Sequence, residues 1–148
     1  MDWNPHVTVA TVIEDNGRFL LVEERVNGHT CFNQPAGHLD PGETLIEAAI
    51  RETREETGWE IEIQGVVGVG LYKAPRNGVT YCRTTFFAKA IRQLPDAKLD
   101  DGIIGPKWLS VDEIRELGDR LRSPMVLQTI ESYQNGHRYP LEMMYHAI

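Results

Sequence analysis

Two stretches near the start of the chain, "HVTVATVIE" (His6 to Glu14) and "RFLLVEE" (Arg18 to Glu24), are rich in β-branched and apolar residues. The "DNG" between them is a hairpin signal, so the chain is predicted to open with two antiparallel strands. "TCFNQPAG" (Thr30 to Gly37) reads as a short strand ended by Pro35 and Gly37, followed by the loop "HLDPGET" and then a helical pattern. Beyond Gly58, "EIEIQGVVGVGLYKA" alternates as a strand at first, Pro75 to Gly78 form a turn, and "VTYCRTTFFAKAI" returns as the second arm of a hairpin. The glycines of "GVVGVG" match neither a dinucleotide fingerprint nor a P-loop and are expected in a strand near a bulge. A brief strand at Lys107 to Leu109 leads to Ser110, which caps a short helix with Glu113 completing a capping box. Ser123 as N-cap and Pro124 at the first helical position open a last helix that stops near Asn135 and Gly136.

Length and composition narrow the functional classes. A chain of 148 residues with 41% hydrophobic and 25% charged residues is expected to form one soluble globular domain spanning 1–148. No apolar run reaches the roughly 20 residues that cross a bilayer, and the start lacks a secretory leader pattern, so a cytoplasmic location and no membrane partner are expected. The formal charge of −7 argues against wide contact with nucleic acid and implies that an anionic small substrate would need assistance. Cys31 and Cys82 form no C-x-x-C pair and read as free, partly buried strand residues.

That assistance has a candidate. On a helix, Glu52, Glu55 and Glu56 fall within an arc of about 100°, beside a stripe of Ile46, Ala49, Ile50, Thr53 and Thr57 that can lie on a sheet. Crowded carboxylates repel by a few tenths of a kcal/mol per pair, and a divalent ion would convert that repulsion into binding. Oxygen donors select Mg²⁺ or Mn²⁺ over Zn²⁺. Arg51 sits four residues from both Glu47 and Glu55 and reads as a clamp on Glu55. On spacing alone, a metal site and a solvated acidic face both remain open.

The pattern Gly37, five residues, Glu43, seven residues, then "RETREETGW" (Arg51 to Trp59) resembles the box of the Nudix family, with Thr53 and Trp59 as unusual packing choices. "PHVTVA", "NQPAGHL" and the tail "LRSPMVLQTIESYQNGHRYPLEMM" look like the bacterial NudJ-type phosphatases of that family. The resemblance implies an α/β fold, an α/β/α sandwich with a mixed curved sheet between helices. It implies metal-dependent cleavage of small pyrophosphates: nucleoside di- and triphosphates, hydroxymethylpyrimidine pyrophosphate or thiamine pyrophosphate. Glu52, Glu55, Glu56 and Arg51 become the expected catalytic set, with Gly37, Glu52, Glu55 and Glu56 as metal ligands and Asp101 as a further candidate for which a surface turn is the favoured reading. Glu43 is expected to buttress the loop and helix start, and the base to be Glu52 or a residue outside the box. A non-catalytic module that binds or senses a nucleotide is the alternative.

Substrate contacts are less defined by pattern. Arg25, Lys73, Arg76, Arg83, Arg122 and Arg138 are candidate phosphate ligands, and Phe32, Tyr72, Tyr81 and Tyr133 candidate stacking groups. Among these Arg122, Arg138 and Tyr133 stand out because they lie in the tail that carries the resemblance; His38 follows the box glycine and could face phosphate.

Overall fold

In a computed structural model describing residues 2–148, the opening hairpin forms as predicted: β1 (His6–Asp15) and β2 (Arg18–Val26) are joined by Asn16 and Gly17, with φ of 51° and 79°. Positive φ at both turn positions suits the twist of paired strands, and Asn-Gly adopts it at little cost. Yet β1 and β2 pair only beside the turn, at Glu14 with Phe19 and Asp15 with Arg18, and then diverge. β2 goes on to pair with β3 (His29–Asn33) and β7 (Ile103–Ser110), whereas β1 pairs with β4 (Ala36–His38) and, in parallel, with β6 (Thr80–Gln93). With β5 (Trp59–Lys73) antiparallel to β6, the result is a seven-stranded mixed sheet that is split along the β1/β2 seam.

The single strand expected over Thr30 to Gly37 is therefore two strands on opposite sides of the split. Gln34 and Pro35 make the crossing. Pro35 has no N–H for a ladder, and the buried Gln34 side chain donates instead to Val126 O at 2.7 Å and Thr129 Oγ1 at 3.1 Å in the last helix. The glycines of "GVVGVG" sit in β5 where its register with β6 shifts, between Ile63 and Gly65 and again between Val66 and Gly68. β7 is longer than expected at both ends.

Helices cover both faces. On one, α1 (Leu45–Thr57) buries Ala48, Ala49, Thr53 and Thr57, with Ala48 and Ala49 in a core containing Val9, Val66 and Phe86. Thr44 and Glu47 form a capping box at its start, and Gly58, at φ 74°, ends it. Thr53 is accommodated because its hydroxyl donates to Ala49 O at 2.8 Å, and Trp59 packs edge-on against Trp108. The other face carries α2 (Val111–Leu117) and α3 (Met125–Gln134), which bury Ile114, Val126 and Ile130 against Val12, Phe19 and Leu21. Ser110 and Glu113 form the expected second capping box. α3 begins one residue later than expected, Pro124 being its cap position, but the Ser123 hydroxyl accepts from Met125 N–H at 3.2 Å. Among the described residues, no helix is long and apolar enough to cross a membrane.

Candidate active site

Because period-2 alternation sends Val9 and Ile13 toward α1, their neighbours Thr8, Ala10 and Val12 face α3. The parallel register places Arg83 beside Thr8 and Tyr81 beside His6, and β4 places His38 on the other side of Thr8. Thr8, His38, Tyr81 and Arg83 floor a cleft of about 600 Å³ where the sheet splits. Gly37, Glu52 and Glu56 line one side of it, Arg122, Ser123 and Met125 another, and the β5–β6 hairpin contributes Tyr72, Ala74 and Arg76.

At the acidic side, α1 is pressed close to β4. A Cβ on Gly37 would overlap the Glu52 carboxyl, so only glycine permits this approach. The Glu56 Oε1 accepts from Ala36 N–H at 2.8 Å, which fixes the carboxyl against the strand. Glu52, Glu55 and Asp100 bring carboxylate oxygens within 4.8 Å of one another. Asp100 rather than Asp101 joins the group, because Asp100 N–H donates to Glu55 O at 3.0 Å and ties the loop to the end of α1. Asp101 is exposed in the following turn, outside this grouping.

Arg51 holds the set together. Its Nε donates to Glu43 Oε2 at 2.6 Å and Nη2 to Glu43 Oε1 at 3.0 Å, a two-pronged contact that joins helix to loop. Nη2 also donates to His38 O at 2.9 Å, while Nη1 reaches Glu52 Oε1 at 2.7 Å and Glu55 Oε2 at 3.1 Å. The guanidinium thus clamps Glu55 as expected, but its main partner is Glu43. Hydrogen bonding from Arg51 holds the Glu43 carboxyl below its usual range, and bonding to Glu43 chiefly raises Arg51.

Burial acts the other way on the remaining acids. It pushes Glu52 up despite Arg51, and it pushes Glu56 up to about 9, with the Glu52 charge adding to the effect and the Ala36 N–H opposing it. Near neutrality this burial favours a protonated Glu56 unless a cation balances its charge. An ion ligated by oxygens fits this donor set, since Glu52 keeps Oε2 free of Arg51 and Glu55 keeps Oε1 free.

Among the other expected residues, His38 lies in the cleft, its Nε2 2.9 Å from His6 Nδ1, and burial followed by the His6 charge lowers its pKa. Arg122 also lines the cleft and is ion-paired to the buried Glu24, a partner absent from the sequence reading. Arg138 and Tyr133 are not brought there. The Arg138 guanidinium sits 3.9 Å over the Tyr133 ring, and Tyr133 packs against Phe19 and Phe87 outside the cleft lining. Phe32 is core, capped by Arg120, whereas Tyr72, Tyr81, Arg76 and Arg83 are in the lining. Strand parity could have singled out Arg83 and Tyr81 had the β1–β6 pairing been known.

Comparison with known proteins gives a consistent result. A NUDIX domain profile matches residues 3–129. Phosphatase NudJ of Escherichia coli K12 is 43% identical over 142 residues, covering 96% of this chain and 92% of that protein, as is Phosphatase NudJ of Shigella flexneri. Among solved structures, a NUDIX hydrolase from Nitrosomonas europaea superposes with a TM-score of 0.95 at 45% identity, covering 97% of this chain and 98% of that one. A MutT NUDIX hydrolase from Burkholderia pseudomallei gives a TM-score of 0.73 at 25% identity, covering 87% of this chain and 98% of that one.

Proposed function

The chain belongs to the Nudix family of hydrolases, and we propose that it cleaves the phosphoanhydride bond of a compact free pyrophosphate by attack of water on phosphorus. Nucleoside di- and triphosphates and hydroxymethylpyrimidine or thiamine pyrophosphate form the substrate class, with inorganic phosphate released from a diphosphate. The observation that carries this reading is the acidic group at the Gly37 edge of the cleft, where Glu52, Glu55 and Asp100 converge beside the buried Glu56.

Glu52, Glu55, Glu56 and Asp100, with the Gly37 carbonyl, would hold Mg²⁺ or Mn²⁺. The bound ion would supply neutralisation of the phosphate oxygens and orientation of the attacking water. Arg51 keeps Glu52 and Glu55 aimed by occupying one oxygen of each and leaving the other available. With Glu52 Oε1 held by Arg51 and Oε2 given to the ion, the proton of the attacking water falls to Glu52 through a lone pair the ion does not use or to a residue outside the box. Arg122 and His38 line the path that substrate phosphates would take from the acidic edge into the cleft.

Incubation of purified protein with a panel of pyrophosphates and Mg²⁺ or Mn²⁺, with product analysis in ¹⁸O-labelled water, tests the reading. The expected result is divalent-dependent release of labelled inorganic phosphate from a diphosphate. Full activity in excess chelator, or binding of every compound in the panel with hydrolysis of none, would overturn it.

A further inference from the structure

Arg83 is 6% exposed and lies on the floor of the cleft, near the start of β6. Its Nη2 donates to Gln34 Oε1 at 2.7 Å and to Asn33 Oδ1 at 3.3 Å, both neutral acceptors. Nη1 has no partner, making it one of two buried side-chain polar atoms in that condition among the described residues. Arg83 also forms no ion pair there, unlike Arg51 and Arg122. A guanidinium taken out of water without a counter-charge is costly enough that folded proteins pair it or give it a ligand.

Its location suggests which ligand. Arg83 pairs with Thr8, and Thr8 with His38, the neighbour of Gly37. Two strand spacings therefore put the Arg83 backbone about 10 Å from that of His38, separating the buried cation from the acidic edge. A pyrophosphate has negative oxygens at both ends. From the proposed hydrolysis, and resting on it, we infer that Arg83 is a specificity-determining residue that binds the substrate phosphate remote from the acidic edge through its unpartnered Nη1. A neutral ring edge would satisfy the N–H but leave the buried charge uncompensated, whereas a phosphate oxygen does both. Gln34 positions the guanidinium, being fixed in turn by its bonds to α3. The substrate is thus held at two points, and the phosphorus facing the acids is the one beyond the phosphate that Arg83 holds.

Binding of methylenediphosphonate in the presence of Mg²⁺, measured by calorimetry, isolates this contact from turnover. Arg83→Met and Arg83→Gln should each weaken the diphosphonate tenfold or more while leaving Mg²⁺ affinity unchanged. Arg83→Gln keeps a polar group at the position and remains informative if the Met variant does not fold. Diphosphonate binding by Arg83→Gln within twofold of wild type would overturn the inference. So would a parallel loss of Mg²⁺ affinity, which would mark Arg83 as a support for the acids, or failure of the wild type to bind diphosphonate. A wild type that binds diphosphonate in an Arg83-dependent way yet hydrolyses no pyrophosphate would refute the hydrolysis and leave Arg83 as the phosphate ligand.

Discussion

Glu52 and Glu56 lie on one helical turn but answer to different surroundings, and substitution should separate them. Glu56 has a strand N–H for company and no cation, so burial raises it to about 9, whereas an unfolded carboxyl ionises near 4.5. Between those limits the metal-free folded state keeps a proton that the unfolded chain has lost. The contribution of Glu56 to stability should therefore be complete below 4.5 and fall as pH rises, by about 1.4 kcal/mol per pH unit for one proton, until the folded group ionises near 9. Denaturant unfolding in chelator from pH 5 to 9 should lose less stability with rising pH in Glu56→Gln than in wild type, the difference between the two being the Glu56 contribution. With metal present, the same substitution should lower turnover by about 10² or more, as should Glu52→Gln, the scale of losing a main charge-stabilising group. Asp100→Asn should weaken Mg²⁺ binding, and Asp101→Asn should leave it within twofold; the reverse order in a calorimetric titration would assign the loop acid to Asp101. Gly37→Ala should resemble a Glu52 lesion, because its methyl would displace the Glu52 carboxyl.

At the scale of elements, α1 is an acid-bearing helix whose position depends on ties at both ends. Thr44 and Glu47 cap its start, Gly58 and the Asp100 N–H bond close its end, and Arg51 joins it to Glu43 in the preceding loop. Thr44→Ala should cost about 1 kcal/mol of stability, read as a shift of the denaturant midpoint with unchanged slope. Arg51→Lys keeps the charge but not the planar fork, so Mg²⁺ requirement should rise and be relieved by more Mg²⁺; relief by substrate alone would make Arg51 a substrate ligand. The carboxylate arc and the Arg51–Glu55 spacing were legible in the sequence, since both are local relations along a helix. The passage from β3 to β4 was not. Alternation in "TCFNQPAG" records which way side chains point and is silent about which strand they pair with, so Gln34 and Pro35 looked like an end rather than a crossing. Which of Asp100 and Asp101 lies beside the α1 acids is set in a related way: one backbone hydrogen bond to Glu55 brings Asp100 there and leaves Asp101 in the exposed turn.

Across the whole molecule, the proposed chemistry and the proposed selection fall to separate parts. The acids come from α1 and, for Asp100, from the β6–β7 loop, while the floor and walls come from β6, the β5–β6 hairpin and the start of α3. The box was readable from sequence because it is continuous; Arg83 and Tyr81 enter the cleft through a parallel pairing that no local pattern specifies. The expectation for Arg138 and Tyr133 rested on the tail alone, and the fold turns that pair onto each other. The same β1–β6 pairing bears on how the molecule comes into being. It joins His6 to Tyr81 and Ile13 to Ala88, partners some 75 residues apart along the chain. Closing so long a loop delays folding relative to helices and hairpins. During synthesis, the entire run of box acids leaves the ribosome before the strand that floors the cleft exists. A nascent chain therefore carries the acids of α1 well before it has a floor on which to hold a substrate, with Asp100 arriving only after β6, and competence should appear abruptly once β6 docks and Asp100 joins α1.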